Sequence, residues 1–279
     1  MRYIIDHDLH IHSYISPCSQ NPEQNAENIL RYGIENGYKK ICITDHFWDK
    51  DVEFSTPSFG GYDVQNSDKI REILPLPQSE HTKFLFGGEC DMDFHGNVGI
   101  TDKFLDKLDF LIIPFTHTHF ANFSVDSQKI EIVRWQIPAT DYNIEYLADQ
   151  WVKRFDKVLS LSLPFEKIGI AHPTWFNFDD SSAIPKLFDL IDKKTLAELF
   201  TKAAKLGVGI EINTDPKKEK RFGESTRKVY TTAKECGCKF YFGSDAHNPS
   251  EFVGRRQKFE ELVDWIGLEE EDKFAFVNK

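Results

Sequence analysis

Short apolar runs alternate with longer amphipathic ones along the whole chain. Runs rich in Ile, Val and Phe, flanked by polar or Gly residues, predict strands over Ile4–His12, Lys39–Asp45, Lys83–Glu89, Phe110–Thr116, Lys167–His172, Val208–Asn213 and Lys239–Asp245. Between them, apolar residues recur at helical spacing. Ala26, Ile29, Leu30 and Ile34 define a helix over Asn25–Asn36 that stops at Gly37. Leu196, Leu199, Phe200, Ala203 and Leu206 define another over Thr195–Leu206 that stops at Gly207. Ser225–Gly237 carries a weaker version of the pattern. Strands alternating with helices predict a parallel sheet.

Polar residues at the ends of the apolar runs choose between an open and a closed sheet. His12, Asp45, His46, Glu89, His117, His172, Asn213, Asp245 and His247 all sit at or just past a strand end. In a barrel, the C-terminal ends of all strands converge on one face, where active sites are built. In an open sheet they would be strung along an edge. The expectation is therefore an α/β, TIM-like barrel in one domain over residues 1–279. The long segment around 120–152 is expected to form a lid.

The strand-end groups share one chemistry. On the first strand, Asp8, His10 and His12 alternate with Leu9 and Ile11, which predicts three polar groups on one face. Burying two imidazoles and a carboxylate without partners costs several kcal/mol. A divalent metal removes that cost, since neutral imidazole binds Zn, Fe or Mn. Asp8, deeper in the barrel, is expected to orient a histidine. In Ile41-Cys42-Ile43-Thr44-Asp45-His46, neighbouring side chains point to opposite faces, so His46 is taken as the ligand and Asp45 as a loop cap or supporting group. Gly87 and Gly88 precede Glu89, let the backbone approach closely and place a carboxylate able to bridge two metals. Thr116-His117-Thr118-His119 offers two imidazoles; His117, nearer the strand, is preferred as ligand, with His119 facing substrate.

Composition narrows the partners. A net charge of −11, from 45 acidic against 34 basic residues, argues against a nucleic-acid partner, because duplex binding needs a basic face. The five cysteines are odd in number and lack a disulfide framework, and no apolar run approaches a membrane span or a signal sequence. A cytoplasmic protein with no membrane partner is expected. The sequence leaves the oligomeric state open.

Six motifs now stand in order: Asp8-Leu9-His10-Ile11-His12, Thr44-Asp45-His46, Gly88-Glu89, Thr116-His117, Ala171-His172-Pro173 and Gly243-Ser244-Asp245-Ala246-His247. Together they resemble the PHP family, the polymerase and histidinol phosphatase superfamily. The resemblance covers almost the whole chain. It implies a distorted seven-stranded (β/α)7 barrel with a site for two to three divalent metals (Zn, Fe or Mn). It implies a first metal on His10, His12, Glu89 and Asp245, and a second on Glu89, His117 and His172. His46 and His247 would hold a third. The family commonly has Asp or His where this chain has Cys18, within Ser16-Pro17-Cys18-Ser19, so Cys18 is the candidate for the remaining ligand. A thiolate binds zinc well.

The expected activity is hydrolysis of a small phosphomonoester, with L-histidinol phosphate as the first choice, by a hydroxide bridging metals in a trinuclear site. Glu89, Asp245 and His247 are the candidate catalytic groups. Arg255 and Arg256, soon after the last strand, are candidate cations for the phosphate. One alternative is a phosphoesterase for nucleotides or short oligonucleotides, with Phe47, Trp48, Trp175 and Phe176 available for base stacking. The other is a metal-binding barrel without catalysis.

Overall fold

The computed structural model describes residues 1–53, 65–93, 95–117, 136–213 and 222–278. Strands β1 (His7–Ile11), β2 (Lys40–Ile43), β4 (Lys83–Cys90), β5 (Phe110–Ile113), β6 (Ile168–Ile170), β7 (Gly209–Asn213) and β8 (Lys239–Gly243) pair in that order. All the ladders are parallel. A two-residue strand β3 (His46–Phe47) continues the line of β2 beside the end of β4, pairing His46 with Glu89. Each of the seven expected strands is present.

Helices cover the outside: α1 (Ala26–Glu35), α2 (Asp102–Leu105), α3 (Asp141–Val158), α4 (Ala183–Asp189), α5 (Lys193–Leu206), α6 (Glu224–Glu235) and α7 (Arg255–Ile266). Their limits follow from capping. Asn25 accepts the Asn28 N–H at the start of α1, and Asp192 accepts the Thr195 N–H at the start of α5. Gly207 ends α5 at φ +75°, where a side chain would be strained. Of the lid segment expected around 120–152, residues 120–135 lie outside the described residues. The rest includes α3, whose Leu147, Trp151, Phe155 and Val158 are buried. No helix among the described residues is long and apolar enough to cross a membrane.

Two apolar layers result. Ile41, Ile43, Leu111, Ile113, Ile210, Ile212, Phe240 and Phe242 face the helices. Leu9, Cys42, Leu85, Phe110, Ile112 and Tyr241 fill the barrel interior. Below them Phe274, and Val277 of a short final helix, α8 (Ala275–Asn278), lie against the same cluster. Phe276 stacks on Phe110 with ring centroids 4.8 Å apart, and Lys40 Nζ donates to Phe276 O at 2.7 Å. The N-terminal end of the barrel is therefore plugged, and the C-terminal end is left for chemistry.

The barrel closes between β8 and β1 with unusual bonds. The Ser244 N–H donates to Asp8 Oδ1 at 2.9 Å, and the Phe242 N–H donates to His7 Nε2 at 3.0 Å. Only beyond these do main chains pair, with Asp245 N–H on His10 O at 2.8 Å and His12 N–H on Ala246 O at 3.1 Å.

Candidate metal centre

The first strand departs from simple alternation. Its register against β2 shifts between Asp8 and Ile11, and such an irregularity turns successive side chains. Leu9 joins the barrel interior, Ile11 joins the layer under the helices, and His10 and His12 both reach the mouth. Asp8 does not share their face as the alternation predicted. It accepts the Tyr32 hydroxyl at 2.9 Å and the Ser244 N–H in the seam. Burial raises its pKa to about 6. The orienting role expected of Asp8 falls instead to Glu211, whose Oε1 lies 2.8 Å from His10 Nδ1. Glu211 Oε2 also accepts the His172 N–H. Gly243 makes this possible, since a Cβ there would collide with the Glu211 carboxylate and with His10 Cβ.

Glu89 is the centre of the mouth. Its Oε2 is buried and completes no hydrogen bond among the described residues. Around it stand His12 Nε2 at 3.2 Å, His46 Nδ1 at 3.2 Å and His10 Nε2 at 3.4 Å. Its Oε1 lies 3.1 Å from His172 Nε2. The glycines before it carry the close approach read from the sequence: a Cβ on Gly87 would lie 2.6 Å from Phe110 O. Asp245 completes this group, with Oδ1 3.1 Å from His12 Nε2 and 3.4 Å from His10 Nε2. Asp245 and His172 both take positive φ, +54° and +26°, a conformation that costs energy in non-glycine residues and collects at functional sites.

A second cluster lies beside the first. Asp91 Oδ1 is 2.8 Å from His117 Nδ1, and its Oδ2 is 3.6 Å from His46 Nδ1. The His117 and His172 rings stack at 4.8 Å. The expected trio of Glu89, His117 and His172 is thus split in its nearest contacts: His172 meets Glu89, while His117 meets Asp91. Asp91 and Glu211 are absent from the sequence reading. Asp91 follows Glu89 at the two-residue spacing of a strand face, and that spacing was the available signal. His119 lies outside the described residues.

Among the described residues, four sets of donor atoms converge to within 4.8 Å: His10, His12 and Asp245; His10, Glu89 and His172; His46, Asp91 and His117; and His12, Cys18, His46 and His247. Asp45 does not join them directly. It accepts Ser13 N–H at 2.7 Å and Ser13 Oγ–H at 2.6 Å, pinning the loop that carries Cys18.

The electrostatics favour a cation. Burial alone would lower the pKa of His10, but the charges of Glu211, Glu89 and Asp245 hold it well above its ordinary value. Burial would raise Glu89, but His46 and His10 hold it well below the usual carboxylate range. Burial likewise opposes the fall in Cys18, which His247, His12 and His46 bring well below an ordinary thiol. For His247, burial is outweighed by Cys18 and Asp245, and the pKa rises to about 10. Ionised carboxylates, a thiolate and imidazoles packed this closely fit divalent metal ions.

A cleft of about 390 Å³ opens onto this floor, lined among others by Cys18, Trp175, Asp245, His247, Glu251 and Arg255. Arg255 is buried and donates through Nε to Glu251 O at 2.8 Å. Arg256 directs its guanidinium elsewhere, to Asn36 O and to Glu260.

The fold defined by these elements is a nearly closed, parallel α/β barrel with its polar cluster at the C-terminal mouth. The same fold occurs in a histidinol phosphate phosphatase from Lactococcus lactis, whose crystal structure holds zinc, L-histidinol and phosphate. The two match with a TM-score of 0.53 and 17% identity, over 95% of this chain and 94% of that one. That likeness is one of fold. No family model matches the sequence, and no curated protein matches it.

Proposed function

We propose that this protein is a metal-dependent phosphatase for a small phosphomonoester, with L-histidinol phosphate as the first substrate to test. One observation carries the reading: Glu89 Oε2, buried without a hydrogen bond among the described residues, stands among three imidazole nitrogens at 3.2–3.4 Å. Such an arrangement is costly unless a cation sits there. The fold shared with a phosphatase crystallised with zinc, L-histidinol and phosphate supports the substrate class.

His10, His12, Glu89 and Asp245 would hold one ion; Glu89, His172 and His117 would hold a second, with Asp91 behind His117; His46 and His247 belong to a third. Divalent ions bound there supply Lewis acidity toward phosphoryl oxygens and make water nucleophilic at neutral pH. The chain's own groups do the rest. Glu211 and Asp91 fix the rings of His10 and His117 through their Nδ1 atoms. Asp245 lines the cleft whereas Glu89 is sealed, so Asp245, ionised by its histidine neighbours, is the carboxylate that takes the proton of the attacking water and returns it to the leaving alkoxide. Arg255, on the cleft wall, orients the phosphate.

The test is phosphate release from a panel of phosphomonoesters after loading with Zn or Mn. Turnover of L-histidinol phosphate, lost on chelation, is expected. A metal-loaded protein that turns over no member of the panel overturns the reading.

A further inference from the structure

The donor sets at the mouth differ in kind. Three contain a carboxylate; the fourth has Cys18 with His12, His46 and His247 and no carboxylate. The orientation of each ring is fixed from behind. His247 Nδ1 lies 2.7 Å from Asp245 O. A carbonyl only accepts, so Nδ1 carries a proton and Nε2 is the nitrogen left to meet a metal. His46 turns Nδ1 to Glu89 and Asp91, which leaves Nε2 for the sulfur. His12 commits Nε2 to Glu89 and Asp245 and stacks on His247 at 4.4 Å between centroids. Cys18, His46 and His247 therefore remain as three donors around one point, beside the open cleft.

The loop that brings the sulfur here is itself anchored. Asp45 holds Ser13, Ser16 Oγ lies 3.2 Å from His12 Nδ1 and 3.4 Å from Cys18 Sγ, and Ser19 Oγ–H donates to His247 O. Both ends of the Ser16–Ser19 turn are thus tied to the residues that supply the imidazoles. The thiol is held in place by the same contacts that place the rings.

We infer that Cys18, His46 and His247 form a thiolate-bearing centre selective for a soft divalent cation of the zinc class, chemically distinct from the carboxylate-rich positions around Glu89. Thiolate and imidazole select zinc, whereas carboxylate-rich sets accept manganese. Three protein ligands with a fourth position open to the cleft is the arrangement of a zinc site that meets substrate. The inference rests on the metal-dependent reading of the same mouth and adds that the positions load with different metals.

The test needs no turnover. Cobalt-loaded wild type is expected to show a near-ultraviolet sulfur-to-cobalt charge-transfer band. Cys18→Ser should lose that band and one bound zinc per chain, while Cys236→Ser keeps both. Cys18→Asp should keep the ion count without the band and accept manganese in place of zinc. A second readout needs no variant: zinc, but not manganese, should protect Cys18 of the wild type from alkylation, mapped by mass spectrometry. Absence of the band in cobalt-loaded wild type, its persistence in Cys18→Ser, or equal protection by both metals overturns the inference. A failed phosphate-release assay with the band present removes the phosphatase reading alone.

Discussion

At the scale of single residues, the mouth is organised by groups that do not face the cleft. Glu211 is fully buried, yet it sets the His10 ring and the strained His172 backbone together. Glu211→Gln removes the negative charge and turns an amide donor toward one of two N–H groups. Metal affinity, measured by competition with a chelator, should fall about 10–100-fold; unchanged affinity would show that Glu211 only fills space. The sequence reading reached the histidines and carboxylates that cluster at the mouth but missed this support, for a physical reason. His10, His12, Glu89, His172 and Asp245 sit at strand ends, where a polar residue interrupts an apolar run. Glu211 sits inside a strand between Ile210 and Ile212, where alternation reads equally well as a solvent-facing position. Only closure of the barrel turns that face inward.

At the scale of elements, local periodicity named the seven strands that pair in order and three of the helices, because each is specified within its own few residues. What it could not show depends on a partner. The register shift in β1 exists only against β2, and it separates Asp8 from the two histidines. Asp8 then becomes part of the seam, buried with a pKa of about 6. Its unfolded value is near 3.9. Between those values the native chain binds more protons than the unfolded one, so this group's contribution to stability falls as pH rises from about 4 to 6. Asp8→Asn has no such titration. In the metal-free protein, the variant should gain on wild type across that window by something on the order of 3 kcal/mol. Paired urea titrations at pH 4 and pH 6 would measure it. A pH-independent difference would mean that the Asp8 carboxyl is not raised.

On the scale of the whole molecule, the two ends of the barrel have opposite jobs. One end is stoppered by Phe274, Phe276 and Val277; the other carries the donors. Phe274 is 2% exposed, so Phe274→Ala should cost about 3–5 kcal/mol in urea unfolding. Zinc content of the folded fraction should not change, because the stopper lies at the far end from the donors. A loss of less than about 1 kcal/mol would show that the stopper is dispensable. The stopper was hidden from sequence reasoning, since Phe274-Ala275-Phe276-Val277 is too short to carry a period.

The seam between β8 and β1 joins residues as far apart as His7 and Phe242, and it orders events in time as well as space. Helices and neighbouring strands can form early, from contacts close in sequence, whereas the seam must wait for a loop of most of the chain to close. His10 and His12 come from one side of it, Asp245 and His247 from the other. The donors are therefore strangers until the last ladder is made. During refolding, far-ultraviolet ellipticity should recover first and zinc capture should lag behind it. Metal uptake would then serve as a clock for completion of the barrel.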